Sequence, residues 1–92
     1  IATDIEVSKC FLYKVSKMID DDIKCNKEAA MAKYFISEAA CRAADQTTRI
    51  FASYGYSTEY PVSRFFADTR FLLFGGGTSE ILQVNIAREI LR

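Results

Sequence analysis

The stretch Lys27–Tyr54, KEAAMAKYFISEAACRAADQTTRIFASY, contains neither Gly nor Pro. These are the strongest breakers of regular structure, so their absence over this length predicts a helix. Ala29, Ala32, Ile36, Ala39, Ala43, Thr47, Ile50 and Tyr54 step by three and four along it. Ala30, Tyr34, Ser37, Cys41, Ala44, Thr48 and Phe51 repeat the period on an adjacent line. Two adjacent stripes bury more than one side of a helix. Their small residues let neighbours approach closely. The remaining face carries Glu38, Arg42, Asp45 and Arg49, spaced for two i,i+4 ion pairs, Glu38/Arg42 and Asp45/Arg49. This is the profile of the central helix of a bundle.

Working outward, Asn26 is suited to cap the start of this helix and Gly55 its end. Upstream, the first 54 residues hold no Gly or Pro at all, and apolar residues recur from Ile5 to Ile19. A first helix is therefore expected over about Ala2–Asp20, closed by the acidic turn Asp20-Asp21-Asp22. Thr3 and Glu6 have capping-box spacing, with an interior position for Thr3 as the alternative. Downstream, a short loop leads to Pro61, which suits the first turn of a third helix carrying Val62, Phe65, Phe66 and Phe71. Gly75, Gly76 and Gly77 break the chain. Thr78 or Ser79 then caps a fourth helix bearing Ile81, Leu82, Val84, Ile86, Ala87, Ile90 and Leu91. The fold class is all-α, an up-and-down helical bundle.

Composition narrows the chemistry. The 92 residues carry no net charge, which gives no basis for a nucleic-acid partner. No segment approaches the apolar length of a membrane span. With no His, and with Cys10, Cys25 and Cys41 lacking any CxxC spacing, neither a metal centre nor a disulfide framework is expected. The three cysteines read as small buried hydrophobes of a reducing compartment. Half of the residues are hydrophobic, more apolar surface than a lone chain of this size hides. The chain opens at Ile1 inside a helical pattern and is expected to be short at its N-terminus.

Phe74-Gly75-Gly76-Gly77-Thr78-Ser79-Glu80-Ile81 is the most informative segment. A glycine loop opening a helix offers free N–H groups and the positive end of the helix dipole, an anion site in principle. It is not a Walker A loop, because no Lys follows the last Gly. It is not a dinucleotide fingerprint, because no strand precedes it. The alternatives are a capped tight turn between helices, or a phosphate-binding bundle.

The order of motifs goes further. Ala30, Ala32, Lys33, Ser37, Glu38 and Ala40 are followed by Tyr54-Gly55-Tyr56 and Glu59-Tyr60-Pro61. Arg64, Asp68 and Arg70 come next, then Gly77-Thr78-Ser79-Glu80-Ile81 and Ile86-Ala87-Arg88. Their order and spacing resemble the C-terminal domain of the acyl-CoA dehydrogenase family. Thr3-Asp4-Ile5-Glu6 and Leu12-Tyr13-Lys14 resemble the matching family helix, which starts before Ile1, so Thr3 is expected inside a helix. The resemblance implies residues 1–92 of an N-terminally truncated, four-helix C-terminal domain. It implies FAD as cofactor and an acyl-CoA substrate oxidised at the Cα–Cβ bond. A carboxylate takes the α-proton and the β-hydrogen leaves as hydride. It also implies other subunits, as a homotetramer or dimer, an electron-acceptor flavoprotein, and a cytoplasmic or mitochondrial-matrix location.

Residue by residue, the resemblance assigns Gly77 to the substrate thioester and Thr78, Ser79 and Glu80 to FAD. It assigns Arg49, Ala52 and Ser53 to the stretch that meets the FAD of a neighbouring subunit. Here Arg replaces the family's Gln, and Ala and Ser replace its two glycines. Arg49 has two alternative partners, the cofactor pyrophosphate and Asp45. Asp68 and Arg70 are expected in an ion-pair network. Many members carry the catalytic Glu immediately before the Gly of this motif, where this chain has Gly76. Without a side chain Gly76 abstracts no proton. The resemblance leaves a base on another helix outside these residues, as in some family branches, or a member that has lost dehydrogenation or is one subunit type of a mixed oligomer. The competing reading is a catalytically inert helical oligomerisation module of the same family.

Overall fold

A computed structural model describes all residues from Ile1 to Arg92. The elements are α1 (Ala2–Asp20), α2 (Asn26–Phe51), α3 (Ser53–Tyr56), α4 (Val62–Thr69), a 3₁₀ segment (Arg70–Leu73) and α5 (Ser79–Ile90). There is no strand, and α2 touches every other helix. The fold is the all-α bundle expected, built around the stretch that predicted it.

The packing logic lies in the small residues of α2. Ala30, Ser37 and Ala44 are buried at steps of seven, and Ala32 and Ala39 form a second such line. Seven residues make close to two helical turns, so each set forms a seam along one flank. Against the seams lie Val15 of α1, Val62 of α4, and Ser79 and Leu82 of α5, all buried. Cross-helix contacts give the directions. Asp4 meets Arg42, the Thr69 carbonyl meets Cys41, Ser79 meets Glu38 and Gln83 meets Tyr34. Further along, Phe11 of α1 lies beside Met31 and Phe35, and Phe66 of α4 beside Thr48. Residue numbers rise on each helix as they fall on α2, so α1, α4 and α5 all run antiparallel to it.

Helix ends show where local signals prevail and where they do not. Helix α1 closes in a Schellman motif: Ile23 N–H donates to Met18 O and Asp22 N–H to Ile19 O. Asp22 supplies the left-handed residue at φ 56°. Thr3 lies inside α1. Asn26 is the first residue of α2, not its cap; Cys25 holds that place without a side-chain bond. Helix α2 stops at Phe51, short of Tyr54, because Ala52 turns to φ 55°, ψ −127°. The one-turn helix α3 then folds Gly55 back onto α2. A Cβ on Gly55 would lie 2.3 Å from the Thr48 carbonyl oxygen, so its role is close packing against backbone. Ile50 and Tyr54, expected on a buried stripe, are 74% and 61% exposed. Ile50 is on the last turn of α2, where no other element covers it, and Tyr54 lies beyond the helix, off the line it extended.

Two polar expectations are corrected. Glu38 and Arg42 do not pair with each other: Glu38 accepts from Ser79 Oγ at 2.7 Å, and Arg42 reaches Asp4 at 3.3 Å. Their i,i+4 spacing is real, but nearer partners on α5 and α1 take each side chain. Asp68 and Arg70 join no ion pair; the Arg70 guanidinium lies 5.5 Å from the Phe66 ring centroid. Among the cysteines, expected to be buried, Cys10 is exposed on α1, while Cys25 and Cys41 are half-buried. No helix is long and apolar enough to cross a membrane.

Candidate functional site

The triple-glycine turn connects the 3₁₀ segment to α5. Gly75 N–H donates to Phe71 O, and the Phe71 ring lies so close that a Cβ on Gly75 would meet it at 2.5 Å. Gly76 and Gly77 adopt φ 73° and 116°, conformations that L side chains rarely take. A Cβ on Gly76 would meet nothing within 4 Å. Thr78 is the N-cap, accepting from Ile81 N–H at 3.1 Å.

The outcome is an N-terminal cradle. No protein carbonyl accepts from the backbone N–H of Gly76, Gly77, Thr78, Ser79 or Glu80. Such unpaired donors at the positive end of a helix suit an electron-rich or anionic group. The side chains add a constraint. The Ser79 hydroxyl is bonded to Glu38 within a buried residue, and the Thr78 hydroxyl serves as the cap, so the donors these residues have left are their backbone N–H groups. Glu80 is exposed on the first turn of α5.

Helix α2 holds this turn from below. Lys33 Nζ donates to the carbonyl of Leu72, before the glycines, and to Gly77 O at 3.3 Å, after them. Glu38 holds Ser79, and Tyr34 Oη accepts from Gln83 Nε2 at 2.8 Å. Sequence reading placed Lys33 only as a match to a family pattern. Its partners are backbone carbonyls 39 and 44 residues away, for which the sequence carries no signal.

Arg49, Ala52 and Ser53 form a separate locus at the far end of α2. Arg49 pairs with Asp45 at 3.2 Å, the alternative internal to the helix, and its side chain remains mostly exposed. Arg49 and Ala52 border an open hollow with Thr48, Gly55, Tyr56 and Phe66. Ser53 begins α3 and is exposed. Eleven residues separate Glu38 from Arg49, about 16 Å of helix rise. One chain therefore does not bring the two loci together. Apart from these loci, an apolar groove lies between α1 and α2, lined by Ile1, Ile5, Leu12, Ile36, Ala39 and Ala43 among others.

An antiparallel all-α bundle whose last helix opens on a glycine turn is a helical domain that presents unpaired backbone donors at one end. The comparisons specify which. Residues 1–91 match the family model "Acyl-CoA dehydrogenase, C-terminal domain", and the chain belongs to that family. It is 46% identical over 90 residues to the benzylmalonyl-CoA dehydrogenase of Aromatoleum aromaticum, covering 98% of this chain and 24% of that protein. It is 33% identical over 92 residues to a subunit of the caffeyl-CoA reductase–Etf complex of Acetobacterium woodii, covering 100% of this chain and 24% of that subunit. The solved structure of butyryl-CoA dehydrogenase from Megasphaera elsdenii superposes with a TM-score of 0.96 at 31% identity, over 99% of this chain and 24% of that one. The chain thus spans about a quarter of the length of these relatives.

Proposed function

We propose that residues 1–92 form part of the C-terminal helical domain of an FAD-dependent oxidoreductase acting on the Cα–Cβ bond of an acyl-CoA thioester. The observation that carries this reading is the cradle of unpaired N–H groups from Gly76 to Glu80, on a motif that matches the family's flavin and thioester segment. When bound, the flavin supplies the hydride-accepting ring. This chain supplies shape and donors. Gly77, without a side chain, leaves room for the thioester. Thr78, Ser79 and Glu80 meet the flavin, the first two through backbone N–H groups because their hydroxyls are engaged. Arg49, Ala52 and Ser53 face the FAD of a neighbouring subunit, in a homotetramer or dimer.

The chain supplies no proton-abstracting base. Gly76 stands where many family members have Glu, and Glu80 lies on the exposed first turn of α5 at a cofactor-side position. The base therefore comes from another part of the parent protein. Direction is open to either sense, as one relative is named a dehydrogenase and another belongs to a reductase complex. That complex also supports an electron-transferring flavoprotein as partner.

The test is direct. The full-length parent should purify yellow, release FAD on denaturation, and reduce a dye with acyl-CoA or oxidise a reduced dye with an enoyl-CoA. A colourless parent with no extractable flavin overturns the reading.

A further inference from the structure

Lys33 is half-buried on α2 and forms no ion pair. Its ammonium instead donates to two backbone carbonyls, Leu72 O and Gly77 O, which flank the triple glycine. A partly desolvated cation held only by carbonyl dipoles keeps an uncompensated positive charge. The nearest carboxylate on its own helix in the direction of the site, Glu38, is committed to Ser79 Oγ at 2.7 Å. On α5, Glu80 is exposed.

The carbonyl of Gly77 belongs to the same peptide group as the N–H of Thr78. That N–H has no protein acceptor and sits in the middle of the cradle. A charged donor on the carbonyl side polarises the peptide and strengthens its N–H as a donor. The same bond fixes the orientation of the peptide that follows Gly77, a residue at φ 116° whose backbone is otherwise free to exchange torsions.

We propose that Lys33 is a positioning residue for the cofactor. By bridging Leu72 O and Gly77 O it fixes the glycine turn, polarises the Gly77–Thr78 peptide toward the flavin, and adds a positive charge beneath the cradle. This rests on the flavin reading of the site, and the experiment separates the two.

The full-length protein is prepared as wild type, Lys33→Met, Lys33→Gln and Lys33→Arg, and FAD binding to each apoprotein is followed by flavin fluorescence. Amide exchange of Gly76–Glu80 is followed in parallel. Loss of a charge-assisted hydrogen bond predicts FAD dissociation constants raised about tenfold in Lys33→Met and Lys33→Gln. Lys33→Arg, which keeps charge and donors, restores most of the affinity. Exchange in the turn accelerates in the Met variant, and Lys33→Gln gives the answer if Lys33→Met does not fold. Unchanged FAD affinity in the neutral variants overturns the proposal, as does equal weakening in Lys33→Arg. Faster exchange with unchanged affinity reduces Lys33 to a structural clamp and also overturns it. A wild-type parent that binds no FAD overturns the flavin reading itself, which the Lys33 variants do not address.

Discussion

Ala52 carries a cost that its neighbours do not. At φ 55°, ψ −127° its Cβ crowds its own backbone, in a region populated chiefly by glycine. Glycine there removes the strain, so Ala52→Gly should raise stability by about 1 kcal/mol despite the greater freedom of the unfolded chain. The readout is the urea midpoint of the full-length protein at unchanged m-value; a lower midpoint contradicts it. The glycine turn gives the opposite case. At Gly76 a Cβ meets only open space and φ is 73°, close to the ordinary left-handed well, so Gly76→Ala should cost about 1 kcal/mol. At Gly77 the new Cβ would make only ordinary contact with Leu82 at 3.5 Å, but the torsion of 116° lies outside that well, so Gly77→Ala should cost about 3 kcal/mol. Denaturant titration of both variants tests the order, and equal losses contradict it.

At the scale of the elements, α2 was legible because its buried residues are small, periodic and uninterrupted. Ala30, Ser37 and Ala44 form one seam and Ala32 and Ala39 the other, as two stripes require. Its end was not legible. The apolar period runs on through Tyr54, and nothing at Ala52 marks a break, since a non-glycine residue takes the left-handed torsion. The reason lies in tertiary packing: Gly55 must reach the backbone of Thr48, and the chain bends at Ala52 to bring it there. The polar face misled for a related reason. Local spacing pairs Glu38 with Arg42, whereas folding brings Ser79 and Asp4 within reach, and these contacts tie α5 and α1 to α2. In the candidate site, the cap at Thr78 and the free torsions of the glycines were readable, while the Lys33 clamp was not, because backbone carbonyls have no residue signature. The Gly55 contact gives an element-scale prediction. A methyl there would stand 2.3 Å from Thr48 O and 2.9 Å from Thr48 Cα, neither of which is a side chain able to swing away. Gly55→Ala should destabilise by about 3 kcal/mol. Thermal unfolding of the variant should show the drop, and a near-neutral result would mean that α3 detaches from α2 without penalty.

As a whole the chain is a slab, 48 × 23 × 17 Å, with a radius of gyration of 15.4 Å. A compact domain of this length has about 12 Å. Only ten of the 92 residues are buried, and no large side chain is fully enclosed. Apolar residues instead line the groove between α1 and α2, and a second hollow lies against Phe11, Met31 and Phe35. Phe65, Phe71 and Phe74 stand exposed on the α4 side. Exposed apolar surface favours association at about 25 cal/mol per Å² removed from water. The relatives it matches are about four times as long, and under the proposed function this surface is covered by the rest of such a protein and by other subunits. Alone, the chain has only copies of itself. The isolated 92-residue chain should therefore sediment as an assembly heavier than one chain and bind a hydrophobic dye. Strictly monomeric sedimentation at high concentration, without dye binding, would show that the thin core suffices and would remove the support for an oligomer-forming face. The inert-module reading makes the same prediction for the fragment, so the two readings part only at the parent, where the flavin either is or is not present above the glycine cradle.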